Sequence, residues 1–220
     1  MQSRTDGLGR RGLLQGAAGA GVLAVGGLIA PSTARAAVTD PATRKVILVG
    51  ANPGIQLFDG EACTAYASCW RVDWSVMGAG TALVVWCAGQ VHLVGHDETL
   101  ARWLESHCTR HFPEVEGLAW PEPIYHPASV GIDIDLATGM RAHGGGFDIR
   151  MSPVLDRRAF ATDDFALGDV VHSLSLVFAP GGSGSIRMRG RMLPGELQRA
   201  GTPTRPWTSA FISEAEVWCA

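Results

Sequence analysis

The sequence predicts an α+β fold that is predominantly antiparallel β: a curled sheet or a small β-barrel with one main amphipathic helix. Three observations point there. Apolar and polar residues alternate with period two in most runs from Arg44 onward. Turn signals such as Asn52-Pro53-Gly54, Met77-Gly78-Ala79-Gly80 and Ala137-Thr138-Gly139 separate those runs. Only His96–Phe112 spaces its apolar residues as a helix does.

Composition narrows the class further. The chain has 220 residues, 46% of them hydrophobic and 18% charged, with a formal charge of −3. That apolar content argues against disorder, and the lack of basic excess argues against a nucleic-acid partner. The 28 glycines follow no period, which excludes a collagen-like chain.

Residues 1–36 read as an address. Arg10-Arg11 precedes an uncharged run to Ala30 that contains six glycines, and Ser32-Thr33-Ala34-Arg35-Ala36 places small residues where a signal peptidase cuts. The segment resembles a bacterial twin-arginine export signal, although Gly9 and Gly12-Leu13 depart from its usual residues. The resemblance implies a cleaved leader and a secreted or periplasmic product that folds before export. Residues 37–220 then form a single globular β-rich domain. Residues 1–36 hold four arginines and one aspartate, so the remainder carries 14 basic and 20 acidic residues, a charge of −6. No later apolar run is long enough to span a bilayer, so no stable membrane span is expected after cleavage.

The elements follow in order. Arg44–Gly50 is a short strand that ends at Asn52-Pro53-Gly54. Ser68–Val76 places Trp70, Val72, Trp74 and Val76 on one face, an aromatic inner side. Thr81–Cys87 and Gln90–Val94 form a hairpin about Ala88-Gly89. In the helix His96–Phe112, Asp97 is the N-cap and Glu98 meets the dipole. Four prolines make 113–128 an extended loop that carries Trp120, Tyr125 and His126. Beyond it, Val130–Leu136 and the strand ending Phe147–Met151 form a hairpin. Ser152–Asp169 reads as a mixed connection with a short-helix start at Ser152-Pro153. His172–Phe178, Ile186–Arg191 and Ala210–Cys219 complete about eight strands.

Five cysteines, Cys63, Cys69, Cys87, Cys108 and Cys219, cannot all pair within one chain. Cys63 and Cys69 close the shortest loop and are the expected disulfide. No C-x-x-C pair supports thioredoxin chemistry.

Several constellations could carry chemistry. Taking the hairpin as symmetric about Thr138, Asp133 faces His143, a carboxylate orienting a general base; the alternative is a wet face of ion pairs joining Asp133, Asp135 and Asp148 to Arg150, Arg187, Arg189 and Arg191. His172 opens an apolar series and could anchor a ligand or catalyse at a cavity rim. His107 and His111 share a helix face at i, i+4; with His92 or His96 they could hold zinc or copper. Trp70, Trp74, Trp120, Tyr125 and His126 are the expected lining of an apolar cup. The leading expectation is an exported protein that binds a small apolar molecule and acts on it as an acid–base isomerase or cyclase. An exported histidine metal protein and a non-catalytic interaction module are the alternatives. No cofactor follows from these residues.

Overall fold

The computed structural model describes residues 44–219; the expected leader, residues 1–36, lies outside them. The described residues are mostly strand with one short α-helix, which matches the β-rich α+β expectation.

The order begins with β1 (Lys45–Ala51), β2 (Gly54–Asp59), the long β3 (Ala62–Ser75), β4 (Gly80–Cys87) and β5 (Gln90–Gly95). A helical segment opens with α1 (Glu98–Trp103). Then come β6 (Ile124–Pro127), β7 (Gly131–Asp135), β8 (Gly139–Gly144), β9 (Phe147–Val154) and β10 (Arg158–Leu167). The last strands are β11 (Val170–Met188), β12 (Arg191–Met192), β13 (Arg199–Thr202), β14 (Arg205–Thr208) and β15 (Ala210–Cys219). The main path runs β6-β5-β4-β3-β1-β15-β11-β9-β8-β7, with β10 and β12 also paired to β11. β1 and β2 occupy successive stretches of the lane between β3 and β15.

β11 builds two layers from one path. Its first half pairs with β15 as far as Pro180↔Phe211, and its second half pairs with β9 from Gly181↔Val154 onward. Strands that change partners at a bend are how one sheet folds over another. Ile55, Ala67, Cys69, Leu83, Ile149, Ile186 and Ile212 fill the first core. The second core lies on the opposite face of β3, β4 and β5. There Tyr66, Trp70, Val84 and Leu93 pack against Leu100, Leu104 and Cys108 of the helical segment.

Two bulges correct the alternation expected of β3. Val49 pairs with Trp74 but Gly50 pairs with Val72, so Asp73 is the extra residue. The faces swap there: Ser75 turns inward, while Trp74, expected on the inner side, is 47% exposed. Gly50 permits the bulge, because a Cβ on it would collide with the carbonyl of Arg71. The second bulge falls at Thr64, between Leu57↔Ala65 and Phe58↔Cys63. It leaves Cys63 against the second core and Cys69 in the first. The expected Cys63–Cys69 disulfide is therefore absent, and both thiols are free. The two lie on one extended strand, where six steps span about 20 Å, far beyond disulfide reach.

The helix also departs from expectation. Asp97 caps it as expected, accepting from the Leu100 N–H at 3.0 Å. After Trp103 the pitch widens to a π-turn over Leu104–Cys108, then tightens to 3₁₀ over Thr109–His111. The proline-rich stretch is not wholly a loop: it supplies a 3₁₀ turn, Pro113–Val115, and β6, which runs parallel to β5. The expected short-helix start at Ser152-Pro153 is the end of β9.

Candidate functional site

The face that forms the first core does not end where the second layer ends. On β15, Ile212 is buried in that core, and Glu214 and Glu216 follow it on the same side at period two. On β11 the sequence is Ala179, Val177, Ser175, paired in register with Ile212, Glu214 and Glu216. On β3, Cys69 is succeeded by Arg71. These continuations are uncovered and line a cleft of about 330 Å³ that includes Val49, Asp73 and Ala159. On β15 and β3 the wall changes from apolar to charged over two residues, while β11 contributes Val177 and Ser175.

Arg71 organises the cleft. Its guanidinium donates to Glu214 at 3.1 Å and lies 3.5 Å from Asp73. Glu216 completes the acidic set, so three carboxylates and one guanidinium line the cleft. The side chains of Arg71 and Glu214 are about a third and two fifths exposed. Screening by water leaves such a pair weak in stability, and its groups can exchange partners with a ligand.

The expected catalytic pair is not assembled. β7 and β8 turn about Ala137 rather than Thr138, because Asp135 pairs with Gly139. Asp133 therefore faces Arg141, and His143 faces Gly131, with its imidazole over that glycine. A Cβ at Gly131 would strike that ring. Both Asp133 and His143 are exposed. Asp135 explains the turn: its carboxylate accepts from the Ala137 N–H at 2.7 Å and the Thr138 hydroxyl at 2.8 Å, which holds it below its ordinary range. On the same wet face Asp148 binds Arg150 at 2.8 Å and Arg141 at 2.6 Å. The Arg150 and Arg141 hydrogen bonds hold its carboxyl well below the usual range. Of the ion-pair alternative only Asp148–Arg150 forms, with Arg141 added to it; among the described residues Asp133, Asp135, Arg187, Arg189 and Arg191 make no ion pair. His172 sits half-buried on β11, its Nδ1 3.2 Å from the carbonyl of Val170.

The histidines expected to share a metal go separate ways. The π-to-3₁₀ change replaces the α-helical register between His107 and His111. His107 stacks on Trp103 at 6.0 Å, while the His111 ring lies over Gly168. His96 is exposed at the mouth of α1. Among the described residues no group of three or more His, Cys, Asp or Glu is placed to hold a metal ion. His92 instead meets His126: Nδ1 of the first lies 3.1 Å from Nε2 of the second, and the rings stack at 5.3 Å.

The aromatic set is drawn into the fold's own fastenings. Trp70 Nε1 donates to the Thr109 hydroxyl at 3.0 Å. Trp120 Nε1 donates to the buried Glu105 carboxylate at 2.8 Å, and Arg110 binds the same oxygen at 2.9 Å. Tyr125 OH donates to the Gly95 carbonyl at 2.9 Å. Glu105 and Gln56, whose Nε2 donates to the Glu114 carbonyl at 2.7 Å, escaped the sequence reading. A buried glutamate two residues from the helix's basic positions shows no periodic sign of its partners. Burial raises the Glu114 carboxyl and, with Glu114 beside it, pushes the Tyr66 phenol well up.

Comparison with protein families, with curated proteins and with solved structures finds no match.

Proposed function

We propose that this is an exported small-molecule-binding protein whose ligand occupies the Arg71–Glu214 cleft. One observation carries the reading: an apolar core face runs without interruption into an uncovered cleft whose far wall is charged. An aliphatic floor beside a few convergent polar groups is the general form of a small-molecule site at the mouth of a β structure. Three carboxylates against one guanidinium favour a molecule with an apolar body and a cationic or hydrogen-bond-donating head. Binding rather than acid–base conversion is proposed, because the hairpin register parts Asp133 from His143. Export rests on the twin arginine, and among the described residues no helix is long and apolar enough to cross a membrane.

A matched pair of fluorescent probes tests the binding: a naphthalene bearing a trimethylammonium group and one bearing a sulfonate. The cationic probe should bind more tightly, and Glu214→Gln with Glu216→Gln should remove that preference. Equal, unsaturable fluorescence with both probes would contradict the reading. Export is tested separately. Arg10→Lys with Arg11→Lys should retain precursor in the cell, and secreted protein should begin at Ala37; normal secretion of the variant would overturn it.

A further inference from the structure

Apart from the cleft, one cluster of titratable groups is not consumed by folding alone. His92 is only 6% exposed, on β5, with the Phe147 ring 5.5 Å away on one side and His126 on the other. His126 sits half-buried on β6, the outermost strand of the path. The N···N distance of 3.1 Å admits one proton between the rings. One ring nitrogen donates and the other must accept, so at most one of the two imidazoles can be charged while the hydrogen bond stands. Among the described residues, no anion bears on His92. Phe147, from β9, is uncharged. Arg189, in the turn between β11 and β12, bears on His92 as a cation. It is fixed there by its own N–H, which donates to the Gly146 carbonyl at 2.6 Å. That triple-glycine turn rests on β5, since a Cβ at Gly145 would collide with Val94.

β6 is built to yield first. It has four residues, one neighbour, and an exposed Ile124. Besides the ladder to β5, its tethers include the Tyr125 hydroxyl on the Gly95 and His96 carbonyls, Arg102 over the Tyr125 ring at 5.9 Å, and the Ala128 N–H on the Gly95 carbonyl.

We propose that the His92–His126 imidazole pair is an acid-released latch that holds edge strand β6 onto β5. Above the histidine range the pair shares one proton and the strand is closed. Acidification loads the pair beyond the single charge that the hydrogen bond allows. The acceptor nitrogen then carries a hydrogen, two cations stand about one hydrogen-bond length apart, and Arg189 makes a third. His126, on the free edge, moves to water and takes β6 with it. Desolvation of His92, then His126 and Arg189, act in the same direction by lowering its affinity for a proton.

Amide hydrogen exchange on the intact protein tests this, read on segment 122–128 against β4 as an internal reference. Between about pH 7.5 and about pH 5.5, after correction for intrinsic exchange, protection of 122–128 should fall about tenfold or more while β4 holds. His126→Gln, which keeps a polar partner for His92 but cannot be charged, should flatten the response. Unchanged protection in the wild type, or the same fall in His126→Gln, would overturn the latch. Should that variant not fold, nitrogen-15 spectra of the wild-type imidazoles decide instead. Two steps separated by more than about one pH unit are expected; independent titration of both rings near their ordinary value would overturn it.

Discussion

The two faces of β3 teach different lessons about the same residue types. On the helix side, Trp70 is buried and its indole N–H is spent on Thr109. Four residues later, past the Asp73 bulge, Trp74 stands in solvent beside Val76 and Met77. On the cleft side the polar groups pair with each other at the surface, Arg71 with Glu214 and Asp73. Polar atoms in the second core are fasteners for the fold. Polar atoms along the cleft are only loosely committed, paired where water screens them.

The sharpest break of this comparison is between the two tryptophans. Trp70→Ala should cost about 3–5 kcal/mol in denaturant unfolding, through the cavity and the orphaned Thr109. Trp74→Ala should stay within about 0.5 kcal/mol, as an exposed substitution. Equal losses would mean that the bulge does not divide the strand as described.

Glu105→Gln is the next largest. It removes the anion that Trp120 and Arg110 share at a site only 3% exposed. A neutral amide can still accept from the indole, and Arg110 can turn to water, so a loss of about 1–3 kcal/mol is expected. A loss below about 0.5 kcal/mol would make the glutamate a bystander.

The pH dependence should separate two windows. His92 is a base disfavoured as its cation in the folded state, by burial first and then by His126 and Arg189. The unfolded chain then binds more protons, so stability is full above about pH 6.5 and falls as pH drops below it. Asp148 acts lower. Its carboxyl is held down by Arg150 and Arg141, so its contribution is present above about pH 4 and is lost as pH falls further. His92→Gln should remove the upper step and leave the lower. Survival of both steps would place the upper one elsewhere.

Much of the fold was legible because alternation and turn residues act locally. β1, β4, β5 and β15 fall close to their expected spans, and the Asp97 cap is where the first turn requires it. What failed was set by contacts distant in sequence or by one-residue offsets. A bulge at Asp73 depends on Gly50, more than twenty residues away, approaching the Arg71 carbonyl. The turn at Ala137 is fixed by the Asp135 carboxylate, and that one-residue shift of the centre moved every cross-strand partner by two residues. The π-turn that parts His107 from His111 lies in a stretch with ordinary helical spacing. The cleft was illegible for a further reason. Glu214, Glu216, Arg71 and Val177 come from three strands, and nothing in any one of them signals that the others stand beside it.

A small stability effect carries the functional weight. Arg71→Ala should change stability by less than about 1 kcal/mol, since its pairs are partly exposed. The central claim, that ligand binds at this cleft rather than at the aromatic strap, is tested most directly by amide chemical-shift mapping with the cationic naphthalene probe. The largest shifts are expected at Val49, Arg71, Val177, Glu214 and Glu216, and in Glu214→Gln with Glu216→Gln they should weaken to the level that the sulfonate probe gives. Shifts centred on Trp120, Tyr125 and His126, with the cleft silent, would contradict the account.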